Sequence, residues 1–366
     1  MTHPDVLIIG GGIIGLMAGW RLARDGVSAA VVDSGSPAAT DAAAGMLAPS
    51  FERTLHGGAA LAGFAQASLA RWRALAPLLA ERSGEFLDFD DSGVLSVAFD
   101  DEEAAAFASD CEGGETLTRD ETLALEPALA PSVVGGRFSP ADAQIDPRRA
   151  RRALAAALIA DGGALLRGRT AVALRTDNGR ATGALFADGA TIAAPAIILA
   201  AGARLAGLAG LPPTAAFPVK GEALALDRID GAPGRVIRTR GAYLCPKADG
   251  RVVVGATEVA GDWSLNPDEA RIAALKRGAV RAVPTLAGAA ERGRWAGLRP
   301  ATVDGAPIIG RAPDGPDGLL YALGHYRNGI LLAPATADAL ARLVGGANDP
   351  AIAAFSAARF NPLGVS

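Results

Sequence analysis

The sequence predicts an α/β fold: a Rossmann-type parallel sheet built from separated segments, with a mostly antiparallel α+β region inserted into it. Three observations lead there. The apolar run "DVLIIG" (5–10), a helical stretch and a second run, "SAAVVD" (28–33), make one βαβ unit. A third run of the same kind, "AIILA" (196–200), arrives much later in the chain. The segments 84–99 and 217–257 instead alternate apolar and polar residues around turns, as antiparallel strands do.

Taken in order, "DVLIIG" ends in glycine, as a buried parallel strand entering a tight turn would. "IIGLMAGWRLARDG" (13–26) has helical spacing and closes on Gly26, a suitable C-terminal stop. "SAAVVD" is a second buried strand ending in an acid. A helical stretch follows around 59–82, and "GEFLDFDDSGVLSVAFDDEEAAAF" (84–107) alternates around an acidic turn before becoming helical. "DPRRARRALAAALIADGGALL" (146–166) is an amphipathic helix with arginines on one side and a Gly-Gly stop. "GALFADGATIAAPAIILAAGA" (183–203) reads as a hairpin on Asp188-Gly189 and then a buried strand. "GRVIRTRGAYLCPKADGRVVVGAT" (234–257) gives alternating strands around Asp249-Gly250, and the last helix runs from near Asn328 to about Val344. The expected division is a discontinuous dinucleotide-binding domain (1–82, 145–215 and 293–366) and a substrate domain (83–144 and 216–292).

Bulk properties narrow the function. The 366 residues exceed the usual single-core size, which favours two joined domains. Lys and Arg total 35 against 39 Asp and Glu, so the net charge of −4 leaves no basic footprint for nucleic acid. Two cysteines, Cys111 and Cys245, make no disulfide framework and point to a reduced, cytoplasmic protein. His3, His56 and His325 stand singly, and no Cys/His spacing suits a metal. The run "VLIIGGGIIGLMAGW" lacks the basic start of a signal peptide, and no apolar run reaches the roughly 18 residues that suggest a membrane span. A soluble protein is expected.

The chemistry begins at "GGGIIG", where Gly10, Gly12 and Gly15 have G-x-G-x-x-G spacing. Gly10 permits the sharp turn, Gly12 lets backbone approach a pyrophosphate, and Gly15 lets the helix lie close to the sheet. Phosphates then meet the free N–H groups of the helix start. Asp33 follows at the distance expected of an acid that accepts from ribose hydroxyls. The fingerprint fits NAD as well as FAD. "TDAAAGMLAPS" (40–50) suits backbone packed on a flat ligand with Met46 as a polarisable contact, although small-residue loops also arise without one. Gly202, after the late strand, is a further close-approach candidate. Asn328 and Gly329 precede an apolar helix whose free N-terminus would stabilise negative charge on a reduced ring.

Two late arginines stand among glycine, proline and apolar residues: Arg299 in "RWAGLRPATVDGAPIIGRAP" and Arg327 in "GHYRNGILLAPATADAL". A guanidinium keeps its charge, so each needs an anion or water. A substrate carboxylate would satisfy Arg299, as would a neighbouring structural acid. Tyr243 in "GAYLCPK" shares a strand face with Cys245 and Lys247, and serves equally as a carboxylate donor or a core tyrosine.

The stretches "IIGGGIIG", "AAAGMLAP", "PVKGE", "YLCPK", "VVVGATEVAGDW", "WAGLRPATVDGAPIIG" and "GHYRNGILLAPAT" together resemble the bacterial glycine oxidases, flavoenzymes of the D-amino acid oxidase family that feed thiamine thiazole synthesis. They span nearly the whole chain, and the last two are the most specific. The resemblance implies a D-amino acid oxidase-like fold holding non-covalent FAD, since no cysteine stands where covalent-flavin relatives attach the ring. It places Ile13, Ile14, Asp33, Ser34, Ala39 and Thr40 along the cofactor, Ala44, Gly45 and Met46 at the flavin, and Ala171 at the adenine end. His325, Tyr326, Arg327, Asn328, Gly329, Ile330 and Leu331 would close over the ring. Arg299 would hold the substrate carboxylate with Tyr243 and Arg327 beside it. It further implies small amino acids or amines and O2 as reactants, no side-chain acid or base, and a homo-oligomer, typically a tetramer. Glu258 in "GATEVA" and Gly241 depart from the family pattern, which leaves fine specificity open. A D-amino acid or secondary-amine dehydrogenase using another acceptor and a non-catalytic nucleotide-binding protein are the competing expectations.

Overall fold

The computed structural model describes residues 3–51, 58–110, 113–205, 208, 216–313 and 315–360. His56 and Cys111 lie outside the described residues.

Apolar runs without alternation need cover on both faces, and the first sheet provides it. The strand Val6–Ile9 sits at its centre, parallel to Ala29–Asp33 on one side and to Ala196–Leu199 on the other. Ala164–Arg167 adds to the first flank, and Leu319–Leu323 to the second, both parallel. An antiparallel strand, Ile308–Arg311, closes that edge. Ala164–Arg167 lies beyond the Gly162-Gly163 stop, in residues whose apolar run looks like a continuation of the preceding helix.

One face of this sheet is covered by the helices Ile13–Arg24, Gly58–Ser83, Pro147–Ala160 and Gly329–Val344, which share one apolar core with it. The other face carries a three-stranded antiparallel sheet, Ala171–Asp177, Arg180–Phe186 and Thr191–Ala193. The helix Pro147–Ala160 starts where Asp146 accepts hydrogen bonds from the N–H groups of Arg148 (2.9 Å) and Arg149 (3.0 Å), with proline in its first turn.

The last helix contains Pro334, which has no N–H to give the carbonyl of Ile330. The buried indole of Trp72 donates to that carbonyl instead, at 2.8 Å. The Oγ of Ser68 accepts from Ala335 N at 3.1 Å. Two side chains of the long second helix thus fix the start of the last one.

The second sheet is mostly antiparallel. Its longest strand, Phe217–Asp227, pairs along its length with Glu291–Ala301, and on the other side with Arg251–Gly255 and Val259–Ala260. Tyr243–Pro246, Val236–Arg238, Val94–Ala98, Gly135–Ser139 and Glu115–Thr118 continue it outward. The strand Glu291–Ala301 therefore extends across position 293, where the sequence suggests a domain boundary. The alternation at 84–99 condenses to one strand, Val94–Ala98; earlier in the stretch Asp88 has φ 55° and Asp90 makes only an isolated bridge to Gln144. Among the described residues, no helix is long and apolar enough to cross a membrane.

Candidate active site

Strand order in the first sheet reverses beside Val6–Ile9, and ligands of open α/β sheets bind at such a point, beyond the carboxyl ends of the strands. A cleft of about 1190 Å³ opens there and extends to the long strands of the second sheet.

Its floor is the glycine turn. Gly10 has φ 127°, and a Cβ on it would overlap the carbonyl oxygen of Ala200. A Cβ on Gly15 would overlap the carbonyl of Gly10, so this glycine serves helix-to-turn packing and does not line the cleft. Gly12 faces the cleft, with Thr40 Oγ1 the nearest atom to a Cβ at 3.6 Å. No side chain caps the helix at Gly12, while Ile13 N donates to Thr40 Oγ1 at 3.0 Å; Ile13 and Ile14 line the cleft. The helix start is thus a positive end facing open space.

Asp33 stands at the end of its strand and accepts from Gly35 N at 3.0 Å. Its other oxygen accepts from Arg151 Nη2 at 2.7 Å. Arg151 also binds Asp41 at 2.9 Å and the carbonyl of Gly11 at 2.9 Å, so one guanidinium ties the glycine turn, the acid and the next loop together. Ser34, Ala39, Ala171 and Gly202 line this end of the cleft. Arg151 lies 118 residues from Asp33, and no local pattern announces it.

The next loop carries Ala44, Gly45 and Met46 along the cleft wall. Gly45 has φ 91° and leaves no room for a Cβ against the carbonyl of Ile145. Two devices brace the loop. Trp295 Nε1 donates to the carbonyl of Ala42 at 3.0 Å. Lys247 Nζ, fully buried beneath, donates to Gln144 Oε1 and to the carbonyl of Ile145, both at 3.0 Å. Burial pushes the Lys247 amine down from its ordinary range, and it pushes the adjacent Cys245 thiol up to about 11. The Cys245 thiol therefore stays protonated at neutral pH, and Lys247 serves the loop through its two hydrogen bonds.

At the far end stand the residues for an anion. Arg299 is half-buried, its guanidinium lying so close over Gly221 that a Cβ there would overlap it. It donates to the carbonyls of Thr257 at 2.9 Å and Lys220 at 3.5 Å, and forms no ion pair among the described residues. Thr257 is itself fixed by Glu222: its hydroxyl accepts from Glu222 N and donates to Glu222 Oε2, both at 2.9 Å. Buried Lys220 stands 3.3 Å from Glu222. Tyr243 lies beside Arg299; burial raises its phenol pKa, against the pull of Arg299 and Arg327. Arg327 Nη1 is 3.8 Å from Glu258, and Tyr326, at φ 49°, shares the same wall.

His325 lines the cleft but is buried, with Nε2 3.1 Å from Thr336 Oγ1. Burial lowers its pKa to about 3, so the imidazole is neutral and structural. Gly329 and Ile330 bring the last helix's N-terminal turn to the cleft. Asn328 and Leu331 are buried and do not line it. The structure thus gathers most of the residues expected at the cofactor and all three expected at the substrate; Gly15, Asn328 and Leu331 stand behind the wall. Arg151, Thr257 and Glu222 are additions whose only signals in the sequence are the arginine-rich face of one helix and the motifs "VVVGATEVAGDW" and "PVKGE".

Residues 5–343 match the family model described as "DAO: FAD dependent oxidoreductase". The chain belongs to this family. Glycine oxidase of Bacillus licheniformis is 35% identical over 93% of both chains. The bifunctional protein ThiO/ThiG of Synechocystis sp. (PCC 6803) is also 35% identical, over 98% of this chain but 54% of that protein, so the chain spans about half of it. Among solved structures, glycine oxidase from Geobacillus kaustophilus superposes with a TM-score of 0.90 at 32% identity, covering 99% of this chain and 100% of that one. The site fits the family's cofactor: the cleft is long, the turn at Gly12 is open, and Gly10 and Gly45 hold backbone where no Cβ fits.

Proposed function

We propose that this family member is a glycine oxidase-type enzyme. It oxidises glycine, sarcosine or small D-amino acids with O2 to the imino acid and hydrogen peroxide, and water then releases the 2-oxo acid and ammonia or amine. The observation that carries this reading is Arg299: a half-buried guanidinium in the cleft, held by backbone carbonyls and matched to no acid among the described residues. A bidentate fork of this kind is the natural receptor for one carboxylate. The relatives named glycine oxidase support the same substrate class.

FAD, when bound, supplies the two-electron acceptor; Gly10, Gly12, Asp33, Thr40, Gly45 and Met46 would hold it. Arg299 grips the substrate carboxylate and Tyr243, protonated at neutral pH, donates to it. The last helix turns its N-terminal end to the cleft, favouring negative charge there. The imidazole of His325 is occupied by Thr336, and no residue is assigned as a base. Catalysis rests on orientation and on preorganised charge. The discontinuous two-domain arrangement expected from the sequence, with the strand Glu291–Ala301 counted to the substrate sheet, a cytoplasmic location, a homo-oligomer and a role in supplying the imino acid for thiamine thiazole synthesis complete the proposal.

The test is a panel of glycine, sarcosine, D-alanine and D-proline with the FAD-loaded protein, following peroxide. Turnover of at least one with stoichiometric peroxide is expected. Reduction of a dye or quinone without peroxide would identify a dehydrogenase instead. A protein that purifies without flavin and binds none would end the reading.

A further inference from the structure

The charged groups at the anion end do not all point the same way. Arg299 and Arg327 bring two cations to it, and Glu258 brings the opposing charge, 3.8 Å from Arg327. Two other arginines line the cleft nearby but are engaged toward the helix Asp101–Asp110. Arg240 pairs with Glu102 at 2.8 Å, and Arg238 lies 5.7 Å from the Phe107 ring centre. Glu222, the remaining acid at this end, is fully buried and held by Thr257, Lys220 and Asp268 N.

We infer that Glu258 is the residue that limits this site to substrates with a single carboxylate. Arg327 is a second cation at this end, two positions before the last helix begins at Gly329. Glu258 against it offsets that charge, so a second substrate carboxylate would face an acid. Like charges brought together in a partly desolvated cleft repel, and specific sites use such repulsion alongside attraction to discriminate among ligands. Tyr326 belongs to the same cluster: burial raises its phenol pKa and the nearby Glu258 carboxylate raises it further. The Glu258 side chain is 49% exposed, so its effect is that of a charge at the cleft mouth, open to screening by salt.

The inference rests on the proposed substrate class and is tested with matched pairs. D-Alanine against D-aspartate, and sarcosine against iminodiacetate, each differ by one carboxylate. The ratio of kcat/KM within each pair is measured for the wild type, Glu258→Gln and Glu258→Asp, all FAD-loaded. In parallel, unreactive acetate and malonate are titrated by the change in flavin absorbance. Removing the charge should raise relative acceptance of the dicarboxylate by roughly tenfold or more, in KM and in malonate affinity alike. Glu258→Asp should keep the wild-type preference, and added salt should weaken that preference. An unchanged ratio and unchanged malonate affinity in flavin-replete Glu258→Gln would overturn the inference. Failure of every amine to reduce the flavin would instead sink the proposed reaction, and the acetate and malonate titrations would still decide the role of Glu258.

Discussion

The indole N–H of Trp72 donates to the carbonyl of Ile330 at 2.8 Å, filling the place that Pro334 leaves vacant in the last helix. Both residues are buried, so no water can take over the bond. Trp72→Phe keeps most of the apolar contact and strands the carbonyl. Unfolding in denaturant should show a loss of about 1–3 kcal/mol, with a shifted midpoint and an unchanged slope. A loss within a few tenths would mean that the helix does not need this donor.

Arg299 should prove to be a substrate residue and not a cofactor residue. Arg299→Ala removes the fork and the charge, and should raise KM for the preferred amino acid roughly 100-fold or more while flavin content stays at one per chain. Arg299→Lys should recover only part of the loss, because an ammonium cannot make two parallel bonds to one carboxylate. Flavin loss with an unaltered KM would reverse the assignment.

Two glycines with similar backbone angles separate space from strain. Gly26 and Gly45 have φ 79° and 91°, but a Cβ on Gly26 meets nothing within 4 Å, whereas one on Gly45 overlaps the carbonyl of Ile145. Gly26→Ala should cost about 1–2 kcal/mol of stability and leave flavin binding intact. Gly45→Ala should purify with little or no flavin, read as the ratio of visible to ultraviolet absorbance.

His325 gives the protein an acid-sensitive element. Its ordinary pKa is about 6.5 in an unfolded chain, and burial lowers it to about 3 in the fold. Between those values the unfolded chain binds a proton that the folded one refuses. The contribution to stability is therefore constant above about pH 6.5 and is lost as pH falls toward 3, by at most about 1.4 kcal/mol per pH unit. Denaturant titrations at pH 7.5, 6 and 5 should show this slope in the wild type and a shallower one in His325→Asn.

Legibility in the sequence followed local signal. The three central strands of the first sheet stand out because a strand covered on both faces is apolar throughout, whatever its neighbours. Ala164–Arg167 does not, since four residues after a glycine stop have too short a pattern to separate strand from helix. The glycine turn and the two late arginines are visible as motifs. Arg151 is not, because its partners Asp33 and Asp41 lie more than 100 residues away and only the closed fold brings them together. The path from Glu222 through Thr257 to Arg299 is hidden for the same reason: it consists of backbone and hydroxyl contacts between strands, which leave no trace in composition.

The central strand pairs with residues 196–199, those pair with 319–323, and the last helix begins at Gly329 only after that. The glycine turn leaves the ribosome well before the wall opposite it does. A growing chain thus cannot enclose its flavin midway through synthesis, and truncation before residue 329 should yield a colourless protein even if the first βαβ unit has formed.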